Sequence, residues 1–115
     1  MIITLSETGA PLSEQIREQI RGFVTTGGLA AGERLPSVRQ LAHDLAVAPR
    51  TVAKAYKALE QEGVVVTRTG GGTRVGEAAS PTTPEVIEAA RMLAAAGHES
   101  GTDLEEVMRV LRAIW

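Results

Sequence analysis

The segment from Val64 to Val75, which reads VVVTRTGGGTRV, restricts the fold more than any other stretch of the chain. Short runs rich in β-branched residues flank three adjacent glycines, and this pattern predicts a β-hairpin with strands over 64–68 and 73–75. A P-loop would need Gly-Lys-Ser/Thr and then a helix, whereas Thr73-Arg74-Val75 follows here. The glycines therefore indicate a hairpin tip, where positive φ angles and missing side chains let backbone amides approach a phosphate or a groove floor.

Three amphipathic helices are predicted before the hairpin, over residues 12–26, 38–45 and 49–62, because apolar residues recur there at helical spacing. Ser37 followed by Gln40 predicts a capping box at the start of the second helix. Residues 2–5 are rich in β-branched side chains and predict an edge strand, and residues 31–36 predict a connector.

The second and third helices are separated only by the tight turn Ala46 to Ala48. Four apolar positions of the third helix, at offsets 0, 3, 4 and 7, predict its buried stripe: Val52, Ala55, Tyr56 and Leu59. The opposite face carries Arg50, Lys54, Lys57 and Gln61. Two short helices joined by such a turn form a helix-turn-helix, and a hairpin directly after them makes the winged variant.

Formal charge divides this chain of 115 residues into two regions with opposite signs. Residues 34–76 hold seven basic groups against three acidic ones, a net charge of +4, whereas residues 77–115 have a net charge of -4. The basic region suits the phosphates of double-stranded DNA. Arg50 and Thr51 are expected to reach base edges from the first turn of the helix, and Lys54 and Lys57 to reach phosphates. The wing is expected to approach DNA at Arg68, Thr69 and Gly70.

Four stretches in register resemble the DNA-binding domain of the GntR family of bacterial transcriptional regulators. They read PLSEQIREQI, GERLPSVRQLAHDLAV, PRTVAKAYKALEQEGVV and TRTGGGTRV. The short helical remainder is similar to the YtrA-type branch, whose C-terminal part serves mainly to dimerise. The resemblance implies a regulator, most often a repressor, with DNA contacts at Arg34, Arg39, Arg50, Thr51, Lys54, Thr69 and Gly70. At Ala46 this sequence departs from the glycine common in such turns, and at Ala48 from the usual polar helix cap.

The predicted fold is mainly α with a small β-hairpin: a winged helix-turn-helix domain at 1–76, followed by two C-terminal helices within 77–115. The fourth helix is expected to begin at Thr83 to Glu85 and to end at Gly97, after a linker over 77–83; Thr102 with Glu105 predicts a capping box for the fifth. Two amphipathic helices with little other apolar surface predict a homodimer. Its interface is expected to contain Ile87, Leu93, Leu104, Val107, Met108 and Leu111.

Composition argues against several other functions. The chain has no cysteine and only two distant histidines, His43 and His98, so we expect no metal, no cofactor and no enzymatic activity. No apolar run approaches the roughly 20 residues that span a bilayer, and the N-terminus lacks a signal peptide, so we expect a cytoplasmic protein. The alternative function is a winged-helix protein–protein interaction module. If a small-molecule or peptide effector acts on the protein, we expect its cavity between the last two helices and the winged domain.

Overall fold

The computed structural model describes residues 1–77, 79 and 81–115, and the chain divides into two compact units, Met1–Pro81 and Thr82–Trp115. The first unit contains α1 (Leu12–Thr25), α2 (Val38–Leu45), α3 (Pro49–Gln61), β1 (Val65–Arg68) and β2 (Gly72–Val75). The second contains α4 (Pro84–Ser100) and α5 (Leu104–Ile114). These elements confirm the predicted fold class. Of the predicted linker over 77–83, Ala78 and Ser80 lie outside the described residues.

The hydrophobic core of the first unit lies where α1, α2 and the hairpin meet α3. Its fully buried side chains come from α1, α3 and both strands: Ile16, Ile20, Val52, Leu59, Val65 and Val75. Leu29, Leu35 and Leu41 complete the core from the connecting segments and α2. Apart from Tyr56, the buried core is aliphatic, as expected of a chain with only three aromatic residues.

The connector between α1 and α2 has a structural role that the sequence did not indicate. Its backbone runs antiparallel to β2: Leu35 N donates to Thr73 O at 2.8 Å, and Val75 N donates to Glu33 O at 2.8 Å. Because β1 pairs with the other edge of β2, the hairpin is bonded on both sides of its second strand. The wing is therefore attached to the segment that leads into α2.

The edge strand predicted over residues 2–5 is wrong. Among the described residues this segment pairs with no strand, and the backbone groups of Thr4 bond to the side chain of Gln19 from α1 instead. Gln19 donates through Nε2 to Thr4 O and accepts from Thr4 N, at 2.7 and 3.0 Å. A side-chain amide presents the same donor and acceptor pair as a neighbouring strand, so β-branched residues lie extended here without a sheet.

Both predicted boundaries between the C-terminal helices are wrong. Helix α4 does not end at Gly97 but continues to Ser100 and ends at Gly101, which has a φ of 71°. Gly97 is buried because α5 packs closely there; an added Cβ would lie 3.2 Å from Val107 Cγ2. The cap of α5 is Asp103, whose side chain accepts from Glu106 N, rather than Thr102 with Glu105.

Candidate nucleic-acid interface

Helix α3 has the two faces that a recognition helix requires. The predicted stripe of Val52, Ala55, Tyr56 and Leu59 is buried, none of the four being more than 5% exposed. The side chains of Arg50, Lys54 and Lys57 are exposed, and Thr51 is half-buried. One face therefore holds the helix to its domain while the other offers cationic donors.

The turn before α3 contains two departures from the residues usual in such motifs. Ala46 caps α2 in the left-handed region with a φ of 56°, the only positive φ of a non-glycine residue among those described. Ala48 occupies the N-cap of α3 without a side-chain hydrogen bond. The left-handed conformation costs roughly 1–2 kcal/mol for an L-residue, and a missing cap costs about 1 kcal/mol. At its N-terminal end α2 has an ordinary cap, since Ser37 Oγ accepts a hydrogen bond from Gln40 N at 3.1 Å.

Tyr56 fixes α3 to the segment that precedes α2. Its hydroxyl donates to the carbonyl oxygen of Pro36 at 2.7 Å, and the residue is 5% exposed. Burial raises the pKa of Tyr56 to about 12 by desolvating the phenolate. The expectation that Tyr56 is a core residue is confirmed, but its hydroxyl bonds within the fold instead of reaching the surface. It is therefore not a stacking platform for a base.

The wing tip requires glycine at two of its three consecutive glycine positions. Gly71 N donates to Arg68 O at 2.9 Å and closes a turn in which Gly70 has a φ of 76°, as the third position of a type II turn requires. Gly72 has a φ of 69°, and an added Cβ would lie 3.1 Å from Nη2 of Arg34. The Arg34 guanidinium therefore lies against the backbone of the tip. Arg68, Thr69 and Gly70 are exposed there.

The basic groups of residues 34–76 form no ion pair with any carboxylate in the part of the chain that the structure describes. Four ion pairs occur in the described part of the chain, and they involve only Arg17, Arg21 and Arg109. Arg39 is exposed and could have paired with Asp44, but Asp44 accepts a hydrogen bond from Gln40 Nε2 at 2.8 Å instead. The cations predicted to contact DNA are thus available to a ligand.

Arg74 is a basic residue of the hairpin for which the sequence suggested no specific role. Its Nη1 donates to Gly32 O at 3.2 Å, so it ties β2 to the connector. A charge count alone cannot distinguish such a bonded arginine from Arg68, because both flank the same glycines. Only the pairing of the connector with β2 distinguishes Arg74, which is bonded within the fold, from the exposed Arg68.

The six residues predicted for a dimer interface lie on α4 and α5. Leu93, Leu104 and Leu111 are 36%, 69% and 44% exposed, and the others are half-buried. A groove of about 270 Å³ runs between the two helices and is lined by five of the six; Ile87 does not line it. The second unit therefore presents an apolar groove to its surroundings.

Nothing in the described residues gathers the side chains that hold a metal: no group of three or more His, Cys, Asp or Glu side chains is found among them. Likewise, no helix in the described ranges is long and apolar enough to cross a membrane.

A short turn joining α2 to α3, an exposed basic face on α3 and a hairpin directly behind it define a winged helix-turn-helix DNA-binding domain. The gntR family of bacterial regulatory proteins matches residues 12–75, more than half of the chain. The chain therefore belongs to the GntR family, and it is a DNA-binding transcriptional regulator.

Individual relatives agree over nearly the whole length. The chain is 36% identical over 112 residues to the HTH-type transcriptional repressor YtrA of Bacillus subtilis, covering 93% of this chain and 86% of that one. The solved structure of YtrA from Sulfolobus acidocaldarius, a GntR-family transcription factor, is 33% identical with a TM-score of 0.62, covering 84% and 99% of the two chains. The DNA-binding domain of AraR in complex with operator ORX1 is 29% identical with a TM-score of 0.57, covering 63% and 87%.

Proposed function

We propose that this protein is a homodimeric repressor that binds a roughly palindromic operator. Residues 1–76 would bind DNA and residues 77–115 would dimerise. The relatives named as YtrA support the repressor assignment, since one of them is a transcriptional repressor similar over 93% of this chain. A repressor of this kind acts by occupying a promoter.

The observation that carries the proposal is the set of unpaired cations around α3. Arg50, Lys54 and Lys57 project from its exposed face and form no ion pair with a described carboxylate. Basic side chains elsewhere in the chain do form ion pairs with carboxylates. Cations left without partners on one helix face are typical of a surface that binds polyanions.

Each proposed contact has a role set by its position. Arg50 and Thr51 lie in the first turn of α3 and would reach base edges in the major groove. Lys54 and Lys57 lie further along and would contact phosphates. Contacts from outside α3 would come from Arg34, Arg39, Arg68, Thr69 and Gly70. Since Arg34 lies against Gly72 of the wing, these two would approach the same part of the duplex.

Dimerisation is supported by the composition of the second unit. Between Thr82 and Trp115 only Gly97 is buried, so this unit of α4 and α5 has no buried side chain of its own. Segments shorter than about 40 residues rarely form a stable core without oligomerising. A second copy would cover Leu93, Leu104, Leu111 and their neighbours, and it would place two recognition helices about 34 Å apart, as successive major grooves require.

The remaining parts of the proposal follow from DNA binding. A protein that acts on a bacterial chromosome works in the cytoplasm, and the transcriptional regulators among its relatives support a function without catalysis. An effector, if one acts on this protein, has an apolar groove available between α4 and α5.

Binding of three proteins to two duplexes tests the proposal. One duplex spans the DNA upstream of the coding region and the other has random sequence. Wild-type protein should prefer the upstream duplex, with affinity that falls steeply with salt. Arg50→Ala should reduce the preference, because a base contact is worth about 1–3 kcal/mol of discrimination.

Lys57→Ala is the matched control, because it removes one positive charge from the same helix face. It should weaken binding to both duplexes alike and leave the preference unchanged. Equal losses of preference in the two variants would contradict the assigned roles. Failure of the wild-type protein to bind either duplex at low salt would refute DNA binding and favour a protein partner.

A further inference from the structure

A small cleft lies between α1 and α3, away from the wing. It has a volume of about 130 Å³ and is lined by Ser13, Glu14, Arg17, Lys54, Ala55 and Ala58. One water occupies about 30 Å³ of liquid, so the cleft has the volume of about four waters, enough for a phosphate group. Lys54 belongs to the exposed face of α3, and the cleft is therefore continuous with the proposed DNA-binding surface.

Arg17 has an unusual environment in this cleft. Its Nε is buried and has no hydrogen-bond partner among the described residues, although buried polar groups are nearly always bonded. Its Nη2 lies 3.5 Å from Oε1 of Glu18, beyond ordinary hydrogen-bond length. The side chain as a whole is 31% exposed. The guanidinium thus keeps unused donors at a place that a ligand can reach.

We propose that this cleft binds a phosphate of the DNA backbone through Arg17, Lys54 and the hydroxyl of Ser13. The inference rests on the proposed DNA-binding function and adds α1 to its contacts. A guanidinium offers several donors in a planar arrangement that matches phosphate oxygens, and the adjacent ammonium supplies a second positive charge.

The contact has a consequence for how α3 approaches DNA. Helices α1 and α3 contribute Ile16 and Leu59 to the same hydrophobic core. A phosphate held between the two helices would therefore fix the angle at which α3 enters the DNA groove. Glu14 also lines the cleft and opposes this binding by its negative charge. Replacing Glu14 with Gln should therefore strengthen the contact.

Salt-dependent binding to a random-sequence duplex tests the contact, because a backbone phosphate carries no sequence information. Arg17→Gln should lower the slope of log affinity against log salt by about 0.9 and weaken binding about fivefold to tenfold at 0.1 M salt. Glu14→Gln should tighten binding by a few fold at the same salt.

Arg21→Gln is the matched control, since Arg21 lies one turn further along α1 and pairs with Glu62 at 2.8 Å outside the cleft. It should leave the slope within error of the wild-type value. Equal slopes for Arg17→Gln and wild type would overturn the inference while leaving the proposed function intact. A different result, failure of the wild-type protein to bind duplex DNA, would refute the proposed function.

The Nε–H resonance of Arg17 gives a second readout that does not depend on affinity. It can be assigned by its absence from the ¹H–¹⁵N spectrum of Arg17→Gln. Adding the random duplex should shift it strongly, and inorganic phosphate at equal ionic strength should not. A saturable shift with inorganic phosphate but none with the duplex would assign the cleft to a free phosphate compound and overturn the DNA contact.

Discussion

Alkaline pH should weaken the fold through the hydroxyl of Tyr56. In the folded protein this hydroxyl donates to Pro36 O at 2.7 Å, and burial raises its pKa to about 12. In the unfolded chain the pKa of tyrosine is about 10. Since the folded value is the higher one, the stabilisation is fully present below pH 10 and is lost as pH rises from 10 to 12.

The size of the loss follows from the two pKa values. One unit of difference corresponds to about 1.4 kcal/mol, so the free energy of unfolding should fall by about 1 kcal/mol by pH 11 and by roughly 2–3 kcal/mol above pH 12. Tyr56→Phe cannot ionise, and it removes only the neutral hydrogen bond, worth about 1 kcal/mol. The variant should therefore be less stable than wild type at pH 8, and the gap should narrow as pH rises.

Tyr56 is the only tyrosine in the chain, so tyrosinate absorbance near 295 nm reports this group directly. Titration of the folded protein should give a midpoint near 12, and titration in denaturant a midpoint near 10. Urea unfolding followed by circular dichroism at pH 8 and pH 11 measures the stability of both proteins. A midpoint near 10 in protein that is still folded would refute the burial argument.

Two further predictions concern the turn before the recognition helix and the C-terminal surface. Ala46→Gly should stabilise the first unit by about 0.5–1 kcal/mol in urea unfolding, because glycine relieves the strain at a φ of 56°; Ala53→Gly, on the exposed face of α3, should cost about 1 kcal/mol instead. If both changes destabilise, the strain argument is wrong. Leu111→Asp should convert the proposed dimer to a monomer of 12.1 kDa in sedimentation equilibrium, because it places a charge in the proposed apolar interface. Val110→Asp is its control: Val110 is 46% exposed, against 44% for Leu111, but does not line the groove. Dissociation by Val110→Asp with Leu111→Asp still dimeric would move the interface to another face of α5.

The helices of the first unit could be predicted because local and tertiary signals agree there. In α3, the apolar spacing from Val52 to Leu59 coincides with Pro49 at the start and Gly63 at the end. Such agreement leaves little choice of hydrophobic period or of helix boundary. The hairpin was predictable for the same reason. Its turn requires positive φ angles, and glycines occupy the two positions that adopt them.

The wrong predictions occurred where a tertiary contact replaced the local signal. Gly97 resembles a helix stop, but it lies inside α4 because its missing side chain makes room for Val107. Residues 2–5 have strand propensity, but the backbone groups of Thr4 bond to the side chain of Gln19 from α1. Neither contact leaves a pattern in the local sequence. At the start of α5, Asp103 and Thr102 are both common capping residues, with aspartate the more favoured type.

The position of α3 depends on tertiary contacts more than on its own sequence. The strained Ala46 and the missing cap at Ala48 together cost roughly 2–3 kcal/mol at the start of the helix. Against this, each large apolar side chain buried at Val52 and Leu59 contributes about 1.5–3 kcal/mol, and the Tyr56 hydrogen bond adds about 1 kcal/mol. The exposed pair of Arg21 with Glu62 contributes little. Substitutions in the buried stripe should therefore weaken the attachment of α3, and with it DNA binding, more than substitutions at Ala46 or Ala48, although none of these residues is proposed to contact DNA.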